Sequence, residues 1–251
     1  MKIKSFGRRF LLVSLVSCFT VIVSYGQAAL IVLILGDKVA TEQFHLSIDG
    51  AINLSSFPGI EESNWGGGLN FGLGTHIKLG EKWHLKPEFK PLSHKKATSI
   101  IPITAIPEEL TGTKSKLTLN YIDIPVFLQY NITPQFYVSA GPQISFLTSA
   151  YQISTGDLSD GKESTIKIDV QSLFKTVNLS FPVEAGYTLK LATKRSTSKM
   201  DLNIFVRYEY DFLEIFKDPA AGSSKISLFQ VGLSMPFIKT AEELAQAKNK
   251  N

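Results

Sequence analysis

Between Gln43 and Phe237, apolar side chains return at every second position in eight successive runs. A period of two belongs to extended strands, because successive side chains point to opposite faces of a sheet. In the first run Phe44, Leu46, Ile48, Ile52 and Leu54 share one face, and His45, Ser47, Asp49, Ala51 and Asn53 the other. In the sixth run Val177, Leu179, Phe181 and Val183 oppose Asn178, Ser180 and Glu184. The fourth run changes parity around Tyr121, which reads as a bulge. The connections alternate in length. Segments 80–82, 131–135 and 192–199 are short, 56–64 and 212–225 are medium, and 92–116 and 151–176 are long loops. A barrel that crosses a membrane has short turns on the periplasmic side and longer loops outside, with both termini periplasmic.

The polar face supports the same reading. On a soluble barrel it would meet water and carry many Lys and Glu. Here it is mostly Gly, Ser, Asn, Thr and Gln, which suits a narrow lumen packed with side chains. Trp65, Trp83, Tyr130, Phe136, Tyr208, Tyr210 and Phe237 stand near strand ends, where interfacial aromatic girdles form. The expected fold is all-β: an eight-stranded antiparallel up-and-down transmembrane β-barrel over residues 43–238, its oily face turned to lipid.

Residues 1–26 read as a secretory signal peptide. Lys2, Lys4, Arg8 and Arg9 precede the apolar stretch LLVSLVSCFTVIV, and Ser24-Tyr25-Gly26 supplies small residues for cleavage before Gln27. Cutting there removes four of the 26 basic side chains and none of the 22 acidic ones, leaving a charge near zero. No nucleic-acid partner is therefore expected. The one cysteine, Cys18, lies inside this leader, so the mature chain has no disulfide or thiol chemistry. Leu15-Val16-Ser17-Cys18 also matches a lipoprotein cleavage pattern, which leaves an acylated start as an alternative. Residues 27–42 form a short apolar N-terminal segment, read as a packed helix, and residues 239–251 a polar C-terminal tail.

Lumen-facing charges are the candidate site. Counting back from the 192–199 turn puts Glu184 opposite Arg207. Asp123 and Lys90 lie at similar depth, and Glu209 points inward beside them. Buried charges need partners, so these five read as ion pairs, filling the lumen or serving as a gate or proton relay. His45, His76 and His84 face inward near the periplasmic end; three imidazoles are a weak zinc candidate, opposed by Lys78 and Lys86 among them. No metal or cofactor is expected. Gly66-Gly67-Gly68 opens a strand rather than a helix, and no G-x-S-x-G is present, so no catalytic signature stands out.

Several stretches also resemble a known family. Tyr121-Ile122-Asp123-Ile124-Pro125-Val126-Phe127-Leu128-Gln129-Tyr130, followed by Phe136-Tyr137-Val138-Ser139-Ala140-Gly141-Pro142, resembles the hairpin of the PorT-like outer-membrane β-barrel family. Val183-Glu184-Ala185-Gly186-Tyr187 and Val206-Arg207-Tyr208-Glu209-Tyr210 look like its later strands. Gly232, Met235 and Phe237 resemble the signal that bacterial barrels present to the assembly machinery. The chain departs from the pattern by continuing past Phe237 and by carrying Gln129 in place of the family's usual Lys. The resemblance implies a small barrel in the cell outer membrane; some members serve protein secretion.

The function expected is non-enzymatic: an integral outer-membrane protein with a closed polar lumen and long extracellular loops, for surface interaction or envelope and secretion support. Its partners would be outer-membrane lipid, the barrel assembly machinery and an extracellular or periplasmic protein. Two alternatives stay open. A soluble lipocalin-like barrel would turn the oily face inward around an apolar ligand. An outer-membrane lipid-modifying enzyme would gather Ser, His and acidic groups at the rim.

Overall fold

The computed structural model describes residues 41–191, 200–218 and 223–237. The leader, nearly all of the apolar segment 27–42, the 192–199 connection and the 239–251 tail lie outside the described residues. Ten strands follow one another: β1 (Phe44–Ser56), β2 (Asn64–Lys78), β3 (Trp83–Ile100), β4 (Thr111–Asn131), β5 (Phe136–Ala140), β6 (Gln143–Asp157), β7 (Glu163–Asp169), β8 (Val177–Leu191), β9 (Met200–Asp211) and β10 (Ser227–Pro236). All pairings are antiparallel between neighbours, and β1 pairs with β10. β5 and β6 share one place between β4 and β8, and among the described residues β7 pairs only with β6. The ten segments therefore make an up-and-down ring of eight strands with one hairpin extension.

The β5–β6 break has a local cause. Pro142 has no N–H to donate to a ladder, and a Cβ on Gly141 would collide with the Val126 carbonyl. The chain stays in the ring because Val126 N–H donates to the Pro142 carbonyl at 2.9 Å and Gly141 N–H to the Pro182 carbonyl at 3.3 Å.

Alternation dictates the two faces. Ile52, Leu69, Phe89, Leu128, Val183, Val206 and Val231 lie exposed around the outside of the ring. Their polar neighbours point in; Leu69 is 57% exposed and Asn70 3%. Two parallel-sided sequence readings need correction. Segments 92–116 and 151–176, read as long loops, are mostly strand. β3 continues to Ile100 and β4 begins at Thr111, while β6 continues to Asp157 and returns through β7 and a 3-10 turn at Gln171–Leu173. The polar composition that suggested loops belongs to strands that stand clear of the apolar belt.

The parity change assigned to Tyr121 is the second correction. β4 keeps its phase, with Leu117, Leu119, Tyr121, Asp123 and Phe127 all buried on one face. The extra residue is on β6, where Leu147 and Ser149 pair with Tyr121 and Asn120. β3 carries its own bulge at Pro91-Leu92: Lys90 and Ser93 pair with Asp123 and Tyr121. That bulge turns Lys95 inward on the same strand as Lys86, Glu88 and Lys90. What changes near Tyr121 is the chemistry of the inside. Towards the loops the interior becomes apolar, with Phe57, Ile100, Leu117, Leu119, Tyr121, Leu147, Phe174, Ile215, Phe216 and Leu228 in one buried cluster. Phe174 stacks on Phe216 with centroids 4.9 Å apart. An ordinary hydrophobic core thus caps the loop end of the ring.

Candidate functional site

The interior at mid-height is built from alternate residues of β1, β3, β8 and β9. Lys86, Glu88 and Lys90 point inward because they occupy every second position of β3. Glu184 and Arg207 are register partners on β8 and β9. Arg207 Nη2 lies 2.5 Å from Glu184 Oε2 and 3.0 Å from Glu88 Oε1. Lys86 Nζ reaches Glu184 Oε1 at 2.7 Å and Glu88 Oε1 at 3.0 Å. Lys90 Nζ lies 3.0 Å from Asp49 Oδ2 and 3.4 Å from Glu88 Oε2. Three cations therefore meet three carboxylates, all at least nine-tenths buried, and Ser139 and Ser47 donate further hydrogen bonds to Glu184 and Asp49. The Arg207 guanidinium sits over the rings of Phe127 and Phe205, at 4.4 and 5.1 Å. A charge-balanced network of this density stays desolvated only because every member has a partner.

A second cluster lies nearer the loops and is not balanced. Lys95 Nζ donates to Glu209 Oε1 at 2.6 Å and lies 3.8 Å from Asp123 Oδ1, with the Tyr121 ring beneath it at 4.9 Å. Asp211 accepts from the side chain of Asn178 at 2.5 Å and from Ile226 N–H at 3.1 Å. Three carboxylates thus surround one ammonium.

At the turn end the ring opens into a polar vestibule of about 370 Å³, lined by His45, His76, His84, Lys78, Gln129, Tyr137 and Asn203 among others. The imidazoles of His45 and His76 are stacked, 4.6 Å apart and 10° from parallel. Stacked rings aim their nitrogens along separate planes; His45 Nδ1 lies 3.3 Å from the Thr41 carbonyl and His76 Nε2 3.3 Å from Ser47 Oγ. Among the described residues no group of three His, Cys, Asp or Glu side chains is arranged to hold a metal.

The structure brings Glu184 and Arg207 into one contact. Asp123 and Lys90 are register partners, yet their charges go elsewhere: Lys90 to Asp49 and Glu88, Asp123 towards Lys95. Glu209 takes Lys95. The sequence reading missed Asp49, Glu88, Lys86 and Asp211 as partners, although strict inward parity was a signal for the first three. Lys95 was hidden because it fell in a stretch read as loop. Gly232 packs under Phe205, where a Cβ would strike the ring, and Phe237 N–H donates to the Leu46 carbonyl at 2.8 Å.

A family model for the outer membrane protein beta-barrel domain matches residues 40–235. No curated protein matches the chain. Solved structures similar to it include Ail, the attachment invasion locus protein of Yersinia pestis, at 8% identity over 78% of this chain and 100% of that chain, TM-score 0.39. Neisserial surface protein A is similar at 12% identity, over 77% and 97%, TM-score 0.37. OprG from Pseudomonas aeruginosa is similar at 14% identity, over 80% and 98%, TM-score 0.44.

Proposed function

The chain belongs to the outer membrane protein beta-barrel domain family, and from that premise we propose that it is a non-enzymatic integral barrel whose filled interior passes no solute. One observation carries this reading: the ring is apolar outside and charged inside, the reverse of a soluble barrel. On β8 the exposed apolar residues run from Val177 to Leu189. That is roughly 40 Å of strand at about 3.3 Å per residue, or roughly 28 Å of height at a tilt of about 45°, close to the apolar band of a membrane barrel. In the proposed orientation the short turns and both termini are periplasmic and the apolar cap faces outward. Residues 1–26 are a removable leader, and Gly232, Met235 and Phe237 address the assembly machinery.

The alternatives meet specific obstacles. A lipocalin-like reading needs an apolar interior at mid-height, where Arg207, Lys86 and Glu88 lie. An enzymatic reading would look to Ser47, which contacts both His76 and Asp49. Ser47, however, donates its proton to Asp49 at 2.9 Å, and all three are buried inside the ring. The serine proton then points at the carboxylate and not at His76, so the serine–imidazole–carboxylate order of an activated nucleophile is missing. The Asp123-Ile124-Pro125 and Ala140-Gly141-Pro142 hairpin supports placement in the PorT-like branch, with a periplasmic or surface protein as partner in envelope or secretion support.

The test is fractionation with an unboiled detergent gel. A band from the outer-membrane fraction that changes mobility on boiling is expected for a detergent-stable barrel. Recovery as a water-soluble, unlipidated periplasmic protein overturns the proposal.

A further inference from the structure

In the vestibule at the turn end, acceptors outnumber the donors that reach them. The direction of each hydrogen bond follows from the partner that can act only one way. The Thr41 carbonyl can only accept, so His45 gives it the Nδ1 proton at 3.3 Å and keeps a lone pair on Nε2. Ser47 turns its proton to Asp49 at 2.9 Å, so its oxygen accepts from His76 Nε2–H at 3.3 Å, and the lone pair of His76 stays on Nδ1. Gln129 donates through Nε2 to Asn131 Oδ1 at 2.8 Å. Its Oε1 is left without a partner, although the side chain is more than nine-tenths buried. His45, His76 and Gln129 all line the vestibule, so three acceptors stand at one wall with no protein donor among the described residues. The stacking keeps both rings neutral: a charge on each would place two cations 4.6 Å apart, and Lys78 on the same wall opposes even one.

The missing partner is a donor, and the geometry narrows its kind. An anion would meet lone pairs. A metal ion would have to stand about 2.0–2.1 Å from each imidazole nitrogen, but rings only 10° from parallel carry their lone pairs in separate planes that do not converge on one point. An ammonium group fits better, because its N–H bonds diverge and reach acceptors at about 2.9 Å. Charge at the mouth agrees. Glu42, Glu81 and Asp201 line it against Lys78 and Lys190, and among the described residues none of these five side chains forms an ion pair. One negative charge is therefore in excess around a cavity of about 370 Å³, which is room for an alkylamine.

We propose that the vestibule binds the primary ammonium group of an organic amine, either a lysine side chain of an extended peptide or a free diamine. His45 Nε2, His76 Nδ1 and Gln129 Oε1 accept its three N–H bonds, and the carboxylates at the mouth draw the cation in. The mouth faces the periplasm on the membrane reading above, but the site stands on the hydrogen bonds of the ring interior and not on that orientation. The filled mid-height network closes the vestibule from above, so the amine is held there and not passed on.

The experiment is isothermal titration of the full chain in detergent micelles at pH 7.5 with Nα-acetyl-lysine methylamide, with its Nε-trimethylated counterpart and with cadaverine. The trimethylated probe keeps the charge and loses every N–H, so it should bind at least about tenfold more weakly than the lysine probe. His76→Phe with Gln129→Leu should weaken the lysine probe by a similar factor. Lys78→Met should bind it at least as well as wild type. Tighter binding of the lysine probe than of cadaverine assigns the site to a peptide, and the reverse order assigns it to a diamine whose second ammonium meets the carboxylates at the mouth. Equal binding of the lysine and trimethylated probes by wild type overturns the proposal without any variant. So does binding seen only in Lys78→Met, which would give the acceptors to Lys78 itself. An unboiled gel shift is read on every sample: a shifted, folded wild type that binds no amine sinks this proposal alone, whereas a chain soluble without detergent sinks the membrane reading and leaves the site to the same titration.

Discussion

Arg207 holds two carboxylates at once, Glu88 and Glu184, in an interior that offers them no solvent. Arg207→Met keeps most of the volume and removes the charge. It is expected to lower stability by about 3–5 kcal/mol, because two buried carboxylates are left with only Lys86 and Lys90. Urea titration of the barrel in micelles, followed by tryptophan emission, measures it; a loss under about 1 kcal/mol would make the network incidental to stability. The glycines that face the lumen make a second residue-scale case. Gly186 lies against the Tyr137 ring and Gly232 against the Phe205 ring, so each aromatic covers a neighbouring strand's bare backbone. Gly186→Ala and Gly232→Ala should each cost about 1–3 kcal/mol by displacing a ring, visible in the same titration. An unchanged midpoint for both would show that the rings move freely.

The loop-end cap is the element whose stability can be separated from the ring. Phe174 and Phe216 are stacked and buried there, and the backbones of the 170–176 and 212–216 segments meet through Lys175 N–H and the Ile215 carbonyl at 2.8 Å. Phe174→Ala removes about 3–5 kcal/mol of packing from that cap. The expected outcome is faster proteolysis within the cap with the unboiled gel shift intact; loss of both together would mean that cap and ring fold as one unit. At the hairpin tip, hydrogen bonds from Lys162 hold the exposed Asp160 carboxyl below its ordinary value. A depressed carboxyl contributes order above its ordinary titration range and loses it as pH falls through its own. NMR titration should therefore find Asp160 ionising below an unstructured peptide carrying the same turn.

Taken as a whole molecule, the interior is occupied at three heights: polar and open at the turn end, ion-paired in the middle, and apolar beneath the loops. A planar-bilayer recording of the purified chain should accordingly show no stepwise conductance, and steady channel steps would contradict the filled interior. Much of this was legible in the chain. Alternation defined the belt-level strands and their inward faces, since a period of two leaves a side chain no third direction, but it missed the strand extensions beyond the belt and misplaced the phase of β4 before Tyr121. It also set Glu184 level with Arg207, since the register of one short hairpin follows from its turn. Other features needed three dimensions. Lys95 points inward because an extra residue at Pro91 is absorbed in the ladder, and Leu117 and Leu119 face inward because the inside itself turns apolar towards the loops. Which carboxylate each lysine takes was decided across the ring, where strands distant in sequence meet and distances of a few ångströms select among charges that the sequence only ranks by depth.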